Sequence, residues 1–480
     1  MVELILWKTV FCSILIATGK FIVRGFLVVS CVLHWAFERL EPPAGKSGTG
    51  WFLGGGGSAM ARRYTTQVTF GTLRSPYREG SAAAGEPPGV MPLSKTQTTQ
   101  GQLGIAMVTL SWSQVNAWRL SQHHLLPRAD RQTLLEVVTR IGGVHAQLMS
   151  AAELALWARV EDLLPTDVPD ALWRDRSLIK TWAMRGTLHL LTASEFPLYV
   201  AARGARVIHR PPSYYKYHGV TPVELDAIIE GIPPTLTDAP MTREQLADAI
   251  AKRAGNPKLR EVLLSGWGAL LKPAAFRGDL CFGPSQGQHV TFVRPSQWAG
   301  EWRPVEPQQA LQEIARRYLI AYGPATTDDF ARWWGIEASQ AKKLFGSLGD
   351  EIEAVEVEGW KAWALVSTLE QLKALKAPHS VRLLPQFDAY VVGMSRDCEP
   401  ILPKTHKSRV YRPQGWISAV VLVDGRMEGI WEYDNQRSQC VVKIEMFNPP
   451  TAQIKRGIEG EAKRLGDFLN TEVKLTYGNY

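Results

Sequence analysis

The chain has 480 residues, 45% of them hydrophobic and 21% charged, with a formal net charge of +8. This is a globular composition too long for one ordinary core, which argues for two to four domains, and the basic balance suits a polyanionic partner. The five cysteines (Cys12, Cys31, Cys281, Cys398 and Cys440) contain no C-x-x-C pair, which excludes a disulfide framework and a zinc knuckle.

Residues 1–106 differ from the rest. Met1–Phe37 is apolar, but Lys8, Lys20 and Arg24 interrupt it, so no apolar run reaches the roughly 18–20 residues of a spanning helix. Nor does a small-residue cleavage site directly follow an apolar core, as a signal peptide needs. Residues 43–106 are rich in Gly, Ser, Ala, Thr and Pro, a composition that reads as a disordered linker. The expectation is upstream sequence translated in frame, with Met107 the natural start; the alternative is a genuine N-terminal extension.

From Met107 the predicted elements come in a repeating order. Thr109–Leu125 reads as a helix with Ser111 and Ser113 as candidate caps, Asp130–Ile141 as a second, and Ser150–Arg159 as a third. Leu172–Thr181 follows, then Met184–Leu191, whose alternation suits a strand near a tight turn. Thr242–Ala254, capped by Thr242, and Leu259–Leu271 read as helices. The run Arg277–Phe282 echoes Arg185–Leu190, and a turn at Gly283–Gly287 leads to the strand His289–Val293. Thr327–Trp334 and Ser339–Leu348 are again helical, before strands Ile352–Val357 and Lys361–Val366. Helix, helix and hairpin is the winged-helix pattern, and it occurs three times. The remainder reads as strands at Val381–Val392, Trp416–Val423, Arg426–Tyr433 and Gln439–Phe447, with an Asp424-Gly425 turn. A helix over Ala452–Leu469 and a strand over Glu472–Tyr477 close the chain. The expected fold is α+β: three tandem winged-helix domains followed by a small β-barrel-like C-terminal domain. The expected divisions are 1–106, 107–230, 231–305, 306–378 and 379–480.

One short motif carries chemistry. Gly142 and Gly143 should end the second helix. If His145-Ala146-Gln147 is extended, His145 and Gln147 face one side and Ala146 the other. An imidazole beside a carboxamide can hold and polarise one water molecule; the structural alternative is a solvated or cap-forming pair. Asp388 is a candidate carboxylate, either catalytic or bound to backbone amides. Arg185, His189, Arg277 and Lys361 lie at or near the three wings, and Lys404, Lys407, Arg409 and Arg412 form a basic cluster before Trp416. All eight are candidate DNA-contacting residues, since a basic side chain that neutralises a phosphate releases a counterion; the alternative for Arg185 and His189 is a tie between strand and helix, and for the others a solvated basic surface. Nothing signals a nucleotide cofactor, flavin, haem or structural metal. His123-His124 are adjacent on a helix and do not converge on one ion.

Four blocks together resemble the AlkZ/YcaQ-like winged-helix DNA glycosylases. They are His145-Ala146-Gln147 after the Gly-Gly helix end, Met184–His189, Leu383–Tyr390, and Val410–Ile417. The resemblance covers Met107 to Tyr480. It implies three winged helices and a β-barrel around a positively charged channel for double-stranded DNA. The implied reaction is hydrolytic removal of alkylated purines, above all N7-alkylguanine, extending to 3-methyladenine or interstrand crosslinks. The family motif is Gln-x-Gln in the AlkZ-like branch and Gln-x-Asp in the YcaQ-like branch; here the second position is Gln147 and the first is His145. His145 is then the expected water activator and Gln147 the water positioner, in a monomer acting without cofactor or membrane partner, cytoplasmic and nucleoid-associated. Readings from other classes are a winged-helix transcription regulator without chemistry and a protein-interaction scaffold.

Overall fold

Local signals set the first elements. In the computed structural model, which describes residues 107–205, 210–265, 268–435 and 439–478, strand β1 (Val108–Leu110) precedes the helix Trp112–Gln122. Ser111 caps that helix by accepting from the Gln114 N–H, while the Gln114 side chain accepts from the Ser111 N–H. This reciprocal box satisfies two otherwise orphaned donors and leaves Ser113 inside the helix. The helix Leu134–Arg140 ends at Gly142 and Gly143, with φ of +73° and +89°. A Cβ on Gly143 would stand 2.6 Å from the Leu191 side chain, so glycine serves both the turn and the close approach. The chain then forms β2 (Val144–His145), the helix Met149–Trp157, β3 (Leu178–Trp182) and β4 (Leu188–Thr192).

The second unit holds β5 (Met241–Thr242), the helices Arg243–Ala254 and Lys258–Ser265, β6 (Cys281–Gln286) and β7 (His289–Val293). Its sheet order, β5–β7–β6, repeats the β2–β4–β3 order of the first. The echo between Arg277–Phe282 and Arg185–Leu190 therefore joins unlike positions. Arg185–Leu190 leads into β4, the last strand of its unit in chain order, whereas Arg277–Phe282 leads into β6, the second of its own. The third unit has the helices Thr327–Trp334 and Ala338–Gly346 and the hairpin β8 (Ile352–Val357) with β9 (Trp360–Leu365). Its leading strand is reduced to one bridge, Ala325 with Trp363. β1 instead pairs in parallel with β8, covering an edge that would otherwise lie open. The helix expected from Thr109 overlaps β1, because nothing local announces a strand partner that far along the chain.

The C-terminal region corrects the expected architecture. β10 (Val381–Leu384), β11 (Val420–Val423), β12 (Arg426–Asn435), β13 (Cys440–Met446) and β14 (Val473–Tyr477) form one open sheet in the order β10–β11–β12–β13–β14. It is not a barrel, since β10 and β14 do not pair. The reason lies in the last connection. The helix Ala452–Leu469 is a crossover that returns β14 parallel to β13, which extends the edge. The same helix packs on both edge strands, close enough to β10 that a Cβ on Gly457 would stand 2.6 Å from Val381. It covers the face that closure would have buried. The strand expected over Val381–Val392 stops at Leu384. Phe387 has φ of +58°, and Asp388 caps the short helix Ala389–Gly393 by accepting from the Tyr390 N–H.

One hydrophobic core runs through the first unit, the third unit and the C-terminal sheet; the second unit has a separate core around Ile228, Leu246, Ile250, Leu263 and Phe292, which also takes in Trp182 of β3. No described helix is long and apolar enough to cross a membrane. The expectations for Met1–Phe37 and residues 43–106 lie outside the described residues.

Deep in the larger core, Arg159 and Asp388 form a two-pronged ion pair at 2.7 Å on each prong, with both side chains 0% exposed. Arg159 also donates to the Ala155 carbonyl, and Asp388 also accepts from the Tyr390 N–H. Removing one partner strands a buried charge, at a cost of about 3–5 kcal/mol. We expect Asp388→Ala or Arg159→Met alone to lower the unfolding free energy by that order in urea titrations. The double variant Arg159→Met/Asp388→Leu should lose less than the two singles combined.

Candidate active site

The helix-stopping glycines deliver the chain straight into β2, where His145 stands opposite His189 of β4. Burial alternates as an extended segment requires: Val144 and Ala146 are buried, His145 and Gln147 half-buried. The chain bends at Gln147 and Leu148 before the next helix begins at Met149.

The imidazole of His145 is enclosed by rings. Phe387 stacks on it at 4.9 Å between centroids and 20° between planes, and His189 meets it edge-on at 5.4 Å. Trp416 in turn packs edge-on against Phe387 at 5.3 Å. The Leu383–Tyr390 and Val410–Ile417 blocks thus meet the His145 motif in space, through Phe387 and Trp416. His189 is buried, and its Nδ1 lies 3.0 Å from the Thr187 carbonyl, which fixes Nδ1 as the protonated nitrogen. His189 therefore supports His145 from within and is not placed to touch a DNA backbone.

Arg185 is also turned inward. It occupies the β3–β4 turn with φ of +56°, half-buried, and donates to the Trp333 carbonyl of the third unit. Burial, and then the Arg185 charge, push His145 down to about 3. Burial chiefly, with the His145 and Arg185 charges, holds His189 well below the usual imidazole range. Both rings are neutral at any cellular pH, and each presents a lone pair.

The remaining candidates lie apart from this cluster. Arg277 is exposed and ion-paired with Glu230 and Asp279. Lys361 is exposed on β9. Of the basic cluster, Lys407 pairs with Asp397 and Arg409 with Glu445, while Lys404 and Arg412 are exposed. Asp388 has no access to solvent: its two oxygens are held by Arg159 and the Tyr390 N–H. Its geometry is that of a structural anchor. The residue that sequence reasoning missed is Phe387, which brings the aromatic stack; a phenylalanine at positive φ has no signature in a single sequence. No group of three or more His, Cys, Asp or Glu side chains among the described residues could hold a metal ion.

Comparison with known proteins converges on the same segment. Residues 138–468, which include His145 and Gln147, match the family model described as DNA glycosylase AlkZ-like. An interstrand DNA cross-link repair glycosylase from Streptomyces sahachiroi is 40% identical over 333 residues, 68% of this chain and 89% of that protein. The solved structure of Streptomyces sahachiroi DNA glycosylase AlkZ matches with a TM-score of 0.69 and 37% identity, covering 77% of this chain and 100% of that one. With a matching family model over most of its length and a relative of this similarity, the chain belongs to the AlkZ-like DNA glycosylases, winged-helix DNA-repair hydrolases.

Proposed function

We propose that the protein removes N7-alkylated purines from double-stranded DNA, with 3-methyladenine and crosslinked purines as further substrates of the same site, and that His145 and Gln147 hold the attacking water. The observation that carries this reading is the neutral imidazole fixed between Phe387 and His189, one residue from the half-buried Gln147. The activity of the Streptomyces relative, repair of interstrand DNA cross-links, supports the wider substrate range. The protein acts as a cytoplasmic, nucleoid-associated monomer in this reading, with its winged-helix units at 107–230, 231–305 and 306–378 laid along the duplex.

The chemistry follows from the lesion. A 7-alkylguanine is cationic, so the C1′–N9 bond breaks with its electron pair going to the purine, which leaves neutral. The deoxyribose becomes oxocarbenium-like, and water adds at C1′. At about 3 the imidazole is a weak base, far from the near-neutral value that favours proton abstraction from a resting water. Its ground-state work is orientation: it accepts one hydrogen bond while Gln147 fixes another. Once the C1′–O bond forms, the added water is a strong acid, and even a weak base takes its proton and passes it to solvent.

Two results test this. On a 7-methylguanine duplex, His145→Ala/Gln147→Ala should slow single-turnover excision by about a hundredfold or more while the melting temperature holds; unchanged excision would sink the assignment. The second is a pH profile. His145 needs its neutral form, which is full above its folded value of about 3, so the single-turnover rate should be flat from pH 5 to 8. An ordinary histidine base would lose activity below its unperturbed value of about 6.5. Stability behaves differently. His123, His145 and His189 all stay neutral in the fold because their values are depressed. The unfolded chain therefore takes up protons first, and thermal stability should fall as pH drops below about 6.5. A rate that titrates near 6.5 would refute the buried, neutral imidazole.

A further inference from the structure

Between Glu195 and Glu224 the sequence contains no carboxylate. Residues 196–223 carry Arg203, Arg206, Arg210 and Lys216 with two histidines, interleaved with Tyr214, Tyr215 and Tyr217. Basic side chains alternating with aromatic ones are a nucleic-acid signature. Arg203 lies in the last turn of the helix Phe196–Gly204, and His218 ends the helix Pro212–His218.

The second unit adds a cation to this segment. Lys272, in the short helix Lys272–Phe276, reaches the turn that carries Arg185: its Nζ lies 3.9 Å from the point where a Cβ on Gly186 would stand. Phe276 Cζ lies 3.7 Å from the same point, and the Arg203 guanidinium sits over the Phe276 ring at 4.1 Å. Lys272 is half-buried, and its charged neighbour is Arg203; burial and then that like charge push it down to about 8. His218 is lowered by burial and then by the charge of Lys272. Among the described residues no carboxylate pairs with Lys272. The cluster adjoins the candidate active site, because the turn at Arg185 and Gly186 that Lys272 reaches leads directly into β4, the strand of His189.

A half-buried ammonium beside a guanidinium is unfavourable without an anion, and such arrangements concentrate at ligand sites. We propose that Lys272, in the field of Arg203 and His218, is the seat of one backbone phosphate of the DNA strand that enters the active site. The inference rests on the reading that His145 faces the target nucleotide. A lysine suits this task as a compact point charge, and at neutral pH it is mostly protonated, the more so with a phosphate bound.

The test uses the full chain and a duplex carrying a tetrahydrofuran abasic analogue. Lys272→Met should reduce the slope of log Kd against log salt by about 0.9, the share of one phosphate, whereas Lys272→Arg should keep the wild-type slope. A scan with single neutral methylphosphonates should reveal one position near the analogue that weakens wild type but weakens Lys272→Met no further. A wild-type slope in a folded Lys272→Met variant, or equal methylphosphonate losses in both proteins at every position, would overturn the proposal. Excision separates it from the catalytic reading. If His145→Ala/Gln147→Ala leaves excision intact while Lys272→Met lowers the slope, the phosphate seat stands and the catalytic reading fails. If the double variant abolishes excision while Lys272→Met leaves the slope unchanged, the catalytic reading stands and the phosphate seat fails.

Discussion

The geometry around His145 depends on one buried ion pair that does not itself touch the imidazole. Arg159 follows the helix that begins just after Gln147, and Asp388 follows Phe387. Their two-pronged bond ties that helix end to the turn after β10. An ion pair in this setting adds little to net stability, because the desolvation of two charges offsets most of their attraction. What it contributes is registry. Asp388 is held from both sides, by the guanidinium and by the Tyr390 N–H, so the residue before it has little freedom. Phe387 adopts a left-handed backbone, uncommon for a bulky side chain, and lays its ring on His145. Strain of this kind persists only where the surroundings over-determine it. The conspicuous carboxylate of the Leu383–Tyr390 block is thus an anchor for the aromatic floor of the site.

A second consequence concerns charge. The groups around His145 are neutral imidazoles, aromatic rings and an inward-turned arginine, and none of the rings carries charge at cellular pH. The third unit contributes the Trp333 carbonyl that receives Arg185, and its Trp333 ring lies against the position where Gly142 would bear a Cβ. One helix of the third unit therefore holds both the turn before β2 and the turn before β4. The sharing of a single core by the first unit, the third unit and the C-terminal sheet is the energetic counterpart of that sharing of contacts. The site is a junction, positioned by segments that are remote in the chain.

That junction also explains how much can be read from residues alone. The Gly142-Gly143 stop, the extended His145 motif, the capping box at Thr242 and the helices Thr327–Trp334 and Ala452–Leu469 are legible because their determinants are local. The parallel β1–β8 pairing, the stack of Phe387 on His145 and the contact of Arg185 with Trp333 join residues about 150 to 250 positions apart, and no periodicity marks them. Arg185 and His189 read equally as DNA contacts or as ties between strand and helix, because charge and a wing-like setting do not decide between them; tertiary contacts draw both inward. The barrel fails for a related reason. Alternation and turns report strands and hairpins faithfully, but whether a sheet closes is decided by where its last strand docks, and here a crossover helix puts that strand beside β13. Lys272 carries no signal in the sequence, because it sits at the start of a short apolar helix with no basic cluster around it.

A histidine in the first position of the motif changes less than its chemistry suggests. In water an imidazole is a base near neutrality, and a carboxamide is none. Buried between Phe387 and His189, with Arg185 nearby, the imidazole of His145 loses most of its basicity. It becomes, like a carboxamide, a neutral group offering one fixed acceptor. In the proposed reaction that would suffice for a lesion whose own positive charge drives departure of the base, and not for an intact purine, which leaves only with help from an acid or a strong electrostatic partner. A carboxylate at the same place would stabilise the cationic sugar directly and so assist undamaged nucleotides as well. In the proposed reaction, weak activation at this position would be a source of selectivity: the barrier would fall only where the substrate supplies the charge.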